Sequence, residues 1–303
     1  MSGYRFRIRS PDAKDETAKC VKGENRMIHN VHMDELPIMD DEYELTREQI
    51  ESYQKDGHIL LRNVASQTEI GQYEPVISQI VEQKNYHDKP VSERDTYGKA
   101  FIQIGNIWTM SEAGKRFVLA KRFAKIAADL MGVKGVRIYH DQALYKEPGG
   151  GHTPWHQDQI YWPLDSDKTI TLWMPLVPIS EEMGTMTFAS GSHHLGYISK
   201  LAISDESHKT LGQFIEAKKI PQVNYGAMDA GDATFHAGWT LHSAPGNPTN
   251  RTRKVMTIIY YADGTRVAEP DSNARRNDLA GWLPGCKAGD VAVSPLNPLV
   301  YRR

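Results

Sequence analysis

A histidine and an aspartate two positions apart, His156 and Asp158, are the residues of this chain whose types and spacing most directly predict chemistry. On an extended strand, residues i and i+2 point to the same face, so both side chains can close on one small target. One imidazole nitrogen and one carboxylate oxygen suit a borderline divalent metal such as Fe(II), which commonly takes two histidines and one carboxylate on one face. The pair alone also fits a surface histidine beside a strand-end aspartate, so the prediction depends on a third ligand.

The third ligand should be a histidine on a later strand. His236 and His242 are both candidates, and sequence parity does not separate them because both are even-numbered. His242 ends an apolar strand and precedes a Pro-Gly turn, whereas His236 abuts an Ala-Gly pair where the strand should break. His152, beside a glycine turn, is a further competitor. For His236 and His152, a satisfied or exposed loop histidine is the favoured interpretation.

Helices are predicted mainly before the metal pair. Capping boxes at 46–49 and 66–69 each open a helix, and Gly57 ends the first one. Apolar residues recur at three- and four-residue spacing after the second box and again over 117–130, where a helix should stop near Gly132. These apolar stripes are predicted to pack as core against a sheet.

From Val136 onward, short strands alternate with Gly- and Pro-containing turns. The predicted strands cover 136–146, 170–177, 185–189, 232–235, 239–243 and 254–261. Many short strands with turn residues between them are typical of a sandwich or a double-sheet jelly roll. The sequence therefore predicts an α+β chain with a β-roll core, buttressed from outside by helices that are mostly N-terminal.

The predicted domain organisation has one large domain. Residues 1–43 are polar and weakly periodic, which indicates a flexible arm or a strap packed on the surface. Residues 44–303 form the single domain. Within it, the polar, Lys- and Ser-rich stretch at about 195–222 is predicted to be an insertion over the mouth of a site.

Composition excludes several classes of partner. The chain has 303 residues, 24% of them charged, and a net charge of −2, so no broad field points to nucleic acid or an anionic membrane. No apolar run is long enough to span a bilayer, and no apolar segment follows the basic N-terminus as in a secretory signal. Cys20 and Cys286 form no framework, which favours a reduced, cytoplasmic setting. The expected partner is a small-molecule substrate, and the sequence indicates no oligomeric state.

The order of several motifs resembles one family. His156-x-Asp158, His242 and Arg253 follow one another as in the phytanoyl-CoA dioxygenase (PhyH) family of Fe(II)/2-oxoglutarate oxygenases. Similar stretches lie at 56–64, 155–158, 184–193, 231–232 and 294–298, and the resemblance covers Leu45 to the C-terminus. It implies a double-stranded β-helix (jelly-roll, cupin-like) fold, with iron held by His156, Asp158 and His242. It also implies 2-oxoglutarate and O2 as co-substrates for oxidising a C–H bond of a small organic molecule, with release of succinate and CO2.

The resemblance also implies where 2-oxoglutarate binds. Arg253 opens an apolar strand eleven positions beyond His242, and a guanidinium fork suits a carboxylate in a dry pocket. Arg251 lies near the expected anchor and is the alternative. Trp173 and Gln142 are predicted to line the co-substrate pocket, although the bare sequence equally fits a core tryptophan and a strand glutamine that faces water.

The substrate wall is predicted from the aromatic and amide residues that flank the metal motifs: Gln159, Tyr161, Trp162 and Trp239. Tyrosine and tryptophan offer a flat apolar face with one polar handle, which suits a medium-sized organic substrate. The sequence shows no Lys and Arg cluster resembling a coenzyme A phosphate site, so an acyl-CoA substrate is not favoured.

Two other functions compete with the oxygenase. One is a zinc-dependent hydrolase or isomerase on a cupin-like roll, with zinc as a Lewis acid. The other is a noncatalytic β-roll that serves as a binding module. The arginine after the third ligand and the absence of an obvious general base beside the metal motif favour the oxygenase over the hydrolase. The intact set of three ligands argues against a noncatalytic module.

Overall fold

Residues 36–303, which the computed structural model describes, form seven α-helices and eleven β-strands. The helices are α1 (Arg47–Asp56), α2 (Gln67–Lys84), α3 (Thr96–Ala100), α4 (Glu112–Val118), α5 (Lys121–Met131), α6 (Asp205–Lys218) and α7 (Asn273–Trp282). The strands are β1 (His58–Leu61), β2 (Ile102–Gly105), β3 (Gly135–Lys146), β4 (Thr153–His156), β5 (Thr169–Pro175), β6 (Thr187–Ala189), β7 (Gln222–Asn224), β8 (Ala233–Ala237), β9 (His242–Ala244), β10 (Arg253–Ala262) and β11 (Leu299–Arg302).

The strands form two antiparallel sheets. The larger sheet has the order β1-β8-β5-β10-β3-β11, with β2 also paired to β3, and the smaller one has the order β4-β9-β6-β7. Their inner faces meet where Trp173 and Val255 of the larger sheet pack with Phe188 and Ala244 of the smaller. The predicted double-stranded β-helix in an α+β chain is confirmed.

The larger sheet separates the main core from a cavity. On β10, Met256 and Ile258 belong to the core under the helices, whereas Arg253, Thr257 and Ile259 line the cavity between the sheets. Alternate residues of a strand face opposite sides, so one strand can serve both the packing and the site. Buried residues of α2, α4 and α5 share the core with β10, which places the helical layer outside the larger sheet, as predicted.

The helix boundaries follow the predicted caps. The side chain of Thr46 accepts from the N–H of Gln49, and Ser66 and Glu69 form the second capping box. Gly57 ends α1 in the left-handed region, with φ of 77°. No helix of residues 36–303 combines the length and the apolar character needed to cross a membrane.

The described chain begins inside the predicted N-terminal arm, and residues 1–35 lie outside the described range. Leu36 and Met39 are buried in the main core, and the carbonyl of Met39 accepts a hydrogen bond from the N–H of Arg122 at 3.1 Å. Residues 36–43 therefore pack against the helical layer. The division into an arm and a domain stays a prediction.

The predicted insertion at about 195–222 contains α6. Leu211 and Ile215 of this helix are buried together with Trp155 of β4. Ile203, before the helix, lines the cavity. The segment thus supports the strand that carries His156 and contributes to the cavity wall.

Candidate metal centre and co-substrate cavity

His156, Asp158 and His242 converge on one point. One ligand atom from each of them lies within 4.8 Å of the others. The Nε2 atoms of His156 and His242 lie 3.4 Å and 3.8 Å from Oδ1 of Asp158. Two imidazole nitrogens and one carboxylate oxygen are a suitable donor set for a borderline divalent metal.

Strand pairing brings the two histidines together. β4 ends at His156, which lies directly opposite His242 of β9. Asp158 begins a short 3-10 turn, so the strand is shorter than the predicted extended segment. The intervening Gln157 is still extended, with φ of −118° and ψ of 130°, and this preserves the shared face of His156 and Asp158. The side-chain amide of Gln157 points away from His156 and Asp158, and it donates a hydrogen bond to the carbonyl of Gly196.

Backbone carbonyls fix the tautomers of both histidines. Nδ1 of His156 donates to the carbonyl of Pro154 at 2.7 Å, and Nδ1 of His242 donates to the carbonyl of Thr240 at 3.0 Å. A carbonyl can only accept, so each Nδ1 carries the proton and each Nε2 keeps a lone pair for a metal. Burial, followed by the neighbouring imidazoles, lowers the pKa of His242 well below its usual value, which favours the neutral form that binds metals.

His236 contacts the same carboxylate from the other sheet. Its Nε2 lies 3.2 Å from Oδ2 of Asp158, and Thr171 donates to that oxygen at 3.2 Å. Since a carboxylate accepts, Nε2 of His236 carries the proton, and Oδ1 is left for the two other imidazoles. His236 lies within β8 of the larger sheet and is buried, so the expected loop position is wrong, although its side chain is hydrogen-bonded as one of the two expected roles required. His152 does not line the cavity, and 41% of its side chain is exposed.

Arg253 places a buried positive charge in the wall of the cavity. The residue is 2% exposed, and its Nη1 donates to the carbonyl of Gly184. Its Nε has no hydrogen-bond partner, and no carboxylate among residues 36–303 pairs with the guanidinium, which lies 5.3 Å from the ring centroid of Trp173. Burial lowers the pKa of Arg253 to about 9. A fork of donors held away from water fits a carboxylate ligand such as 2-oxoglutarate.

The predicted co-substrate residues share this cavity. Arg253, Trp173 and Gln142 all line it together with the three converging side chains, and Thr257 pairs with both Trp173 and Gln142 across the sheet. The space is about 1100 Å³, including the part that opens to solvent. Arg251 is exposed and does not line the cavity.

The predicted substrate residues divide into two groups. Tyr161 and Trp162 line the cavity, whereas Gln159 and Trp239 do not. The buried amide of Gln159 donates to the carbonyl of Ser166 at 2.9 Å and so holds the segment after the 3-10 turn. The ring of Trp239 packs edge-on against a neighbouring tyrosine outside the cavity.

Several cavity residues were not singled out from the sequence. They are Phe101, Gln103, His140, Leu144, Thr171, Ile203, Asn277, Asp278 and Trp282. Strand alternation around Gln142 predicts that His140 and Leu144 share its face, so these two could have been found. Helix α7 follows β10, which is the last strand to carry a predicted site residue. No predicted site residue lies within this helix, so the sequence did not indicate that α7 lines the cavity.

Comparisons with known proteins agree with this arrangement. A sequence profile of the family described as Phytanoyl-CoA dioxygenase (PhyH) matches residues 53–255. A probable alpha-ketoglutarate-dependent hypophosphite dioxygenase of Stutzerimonas stutzeri is 26% identical over 175 residues, which are 54% of this chain and 58% of that protein. A methylphosphonate hydroxylase of Gimesia maris is 26% identical over 170 residues, 54% of this chain and 61% of that protein. The matched part thus spans about three fifths of these relatives.

Solved structures show the same fold. The non-heme alpha ketoglutarate dependent carbocyclase SnoK from nogalamycin biosynthesis superposes with a TM-score of 0.69 at 24% sequence identity, over 85% of this chain and 97% of that one. At this identity the likeness supports the double-stranded β-helix and no particular reaction. The profile match covers more than half of the sequence, and the chain therefore belongs to the phytanoyl-CoA dioxygenase (PhyH) family.

Proposed function

We propose that this protein is an Fe(II)- and 2-oxoglutarate-dependent dioxygenase. It uses O2 to oxidise a C–H bond of a small organic substrate and releases succinate and CO2. The observation that carries the proposal is a buried guanidinium without an anion in the same cavity as two imidazoles and a carboxylate that converge. In the proposed assignment His156, Asp158 and His242 hold the iron, and Arg253, Trp173 and Gln142 bind 2-oxoglutarate.

The donor set suits Fe(II) in both charge and number. Two neutral imidazoles and one carboxylate leave the ion with residual positive charge and open coordination positions. His236 and Thr171 fix Oδ2 of Asp158, so the carboxylate is oriented before any metal arrives. When bound, iron and 2-oxoglutarate supply the oxidising chemistry, and the protein supplies orientation and a dry cavity.

The environment of Arg253 suits a dicarboxylate. Its fork can bind the carboxylate of 2-oxoglutarate that is remote from the metal, because only one of its donor nitrogens, Nη1, is engaged by a protein carbonyl. Trp173 provides a flat wall beside the guanidinium, and the amide of Gln142 can donate to a co-substrate oxygen. Burial of Arg253 strengthens its attraction for a carboxylate, since little water competes.

The remaining assignments are extensions of the same proposal. The two relatives reported above are named after hypophosphite and methylphosphonate, and these names agree with a small-molecule substrate here. We place residues 44–303 in one catalytic domain. A cytoplasmic location remains the prediction from cysteine content, and Cys286 is a free thiol in the structure.

The test is succinate release from 2-oxoglutarate across a panel of small metabolites, with Fe(II) or Zn(II) added to metal-free protein. We expect succinate only with Fe(II) and O2, and no succinate from His242→Ala, which lacks one ligand. His152→Ala is the matched control, because this histidine lies outside the cavity and should retain activity. Equal turnover with zinc, or an active His242→Ala variant, contradicts the proposal and favours the hydrolase.

A further inference from the structure

Helix α7 lines part of the cavity and carries a buried carboxyl group. Asn277, Asp278 and Trp282 of α7 line the cavity, and of these Asn277 is exposed and Asp278 is buried. Phe101 of the segment before β2 and Trp162 also line the cavity. Aromatic rings thus share the cavity with a single carboxylic acid from this helix.

Asp278 is hydrogen-bonded by neutral side chains, and it has no cationic partner among the described residues. It is 7% exposed, and its Oδ2 accepts a hydrogen bond from the hydroxyl of Tyr139 at 3.1 Å. Trp282 also hydrogen-bonds to it. Within residues 36–303, no lysine or arginine forms an ion pair with Asp278, and Arg275 of the same helix pairs with Asp271 instead. Burial raises the pKa of Asp278 to about 8.

The described residues that line the cavity include no second lysine or arginine to pair with another anion. Among the described residues that line it, Arg253 is the one lysine or arginine, and the proposed function assigns that cation to 2-oxoglutarate. An anionic substrate would be buried without a counter-ion, which is costly. This environment does not suit hypophosphite or methylphosphonate, the anions after which the two relatives are named.

We propose that the substrate places a hydrogen-bond donor, a hydroxyl or an amine N–H, against Asp278, and that its body is a neutral apolar group packed between Phe101, Trp162 and Trp282. In its ionised form Asp278 is then a specificity-determining residue that selects donors and rejects anions. This inference rests on the proposed function, because it assigns Arg253 to 2-oxoglutarate and not to the substrate. It makes the substrate class different from the phosphorus oxyanions of the named relatives.

The aromatic rings that line the cavity account for the apolar body of the proposed substrate. Trp282 lies 4.5 Å from the ring of His140, and Trp162 lies 5.7 Å from the ring of Tyr139, which itself holds Asp278. Aromatic walls beside one fixed polar group bind flat or alicyclic bodies and orient them by a single hydrogen bond. The hydrogen bond to Asp278 would therefore set which C–H bond faces the converging ligands.

The test uses three matched probes: 2-naphthylmethanol, 2-naphthylmethylamine and 2-naphthoate. Their binding to the protein loaded with Fe(II) and 2-oxoglutarate is measured by calorimetry without oxygen at pH 9, where Asp278, with its pKa raised to about 8 by burial, is mostly ionised. We expect the alcohol or the amine to bind at least about tenfold more tightly than the carboxylate. Asp278→Asn removes the charge and Asp278→Leu removes the acceptor. Asp271→Asn, an exposed carboxylate just before the same helix, is the matched control and should leave all three affinities unchanged.

The Asp278 variants distinguish a substrate with an amine donor from a substrate with a hydroxyl donor. If the amine binds best, Asp278→Asn should weaken it about tenfold or more. If the alcohol binds best, Asp278→Asn should change it less than about threefold and Asp278→Leu should weaken it about tenfold. Carboxylate binding equal to that of the other probes, no binding of any probe, or affinities unaffected by Asp278→Leu would overturn the inference.

A separate measurement keeps this result apart from the proposed function. Thermal unfolding checks that each variant is folded, and the visible band of the Fe(II)–2-oxoglutarate complex checks the metal centre. A normal band with no donor selectivity refutes the role of Asp278 alone. Absence of the band in the unmodified protein refutes the proposed function as well.

Discussion

Replacing Arg253 by methionine isolates the charge that we assign to 2-oxoglutarate binding. Methionine retains much of the side-chain length, so the change removes the guanidinium with limited loss of packing. Arg253 is 2% exposed and meets no carboxylate of residues 36–303, so a bound dicarboxylate would be its anionic partner. Breaking one side of a buried charge pair typically costs about 2–5 kcal/mol. We therefore expect the dissociation constant of 2-oxoglutarate to rise by about thirtyfold or more.

The assay is anaerobic titration of the Fe(II)-loaded protein with 2-oxoglutarate, with iron content measured in each variant. Arg251→Met is the matched control, because Arg251 is exposed and outside the cavity, and it should change the constant by less than about threefold. Arg253→Lys should restore binding poorly, since a point charge does not reproduce the fork. A large effect of Arg251→Met with a small effect of Arg253→Met would refute the anchor, and no effect of either would refute the co-substrate.

Three further predictions concern the metal centre and the fold. His242→Ala should lose its iron, whereas His236→Ala should keep it with about 10–100-fold lower affinity; normal iron in the first and none in the second would reverse the assignment. Burial raises the pKa of Asp278 from an ordinary 3.8 to about 8, so between these values the folded state retains a proton that the unfolded state loses, and the free energy of unfolding should fall as pH rises. Urea unfolding across this range should show a flatter pH dependence in Asp278→Asn, and parallel curves would contradict it. Gly184→Ala, at φ of +83° with a backbone carbonyl 2.5 Å from the added Cβ, should destabilise the protein and weaken 2-oxoglutarate binding. Gly149→Ala, at φ of +73° in open space, should leave 2-oxoglutarate binding unchanged, and equal weakening by both would refute the link.

The elements that depend on local sequence could be predicted well. The capping residues Thr46 and Ser66 open their helices, and Gly57 and Gly132 end theirs in left-handed conformations. These signals act over three to five residues, so the chain outside the segment hardly alters them. Arg253 was likewise predicted to open an apolar strand, and it is buried at the start of β10.

The features that the sequence left open depended on where distant segments meet. His236 and His242 share parity but lie on different sheets, and only the turn between them decides which one faces His156. Trp239 falls in that turn and therefore does not line the cavity. Asp278 could not have been found, since the approach of α7 to the cavity is set by tertiary packing against Tyr139 and not by any motif.

The measurement that tests the central claim most directly is the absorption spectrum of the anaerobic protein titrated with Fe(II) and then with 2-oxoglutarate. The proposed function predicts one iron per chain and a weak visible charge-transfer band that appears only with both additions. Admission of oxygen should remove the band and yield succinate. No band at saturating Fe(II) and 2-oxoglutarate, together with equal activity when zinc replaces iron, would contradict the assignment of this cavity to an oxygenase.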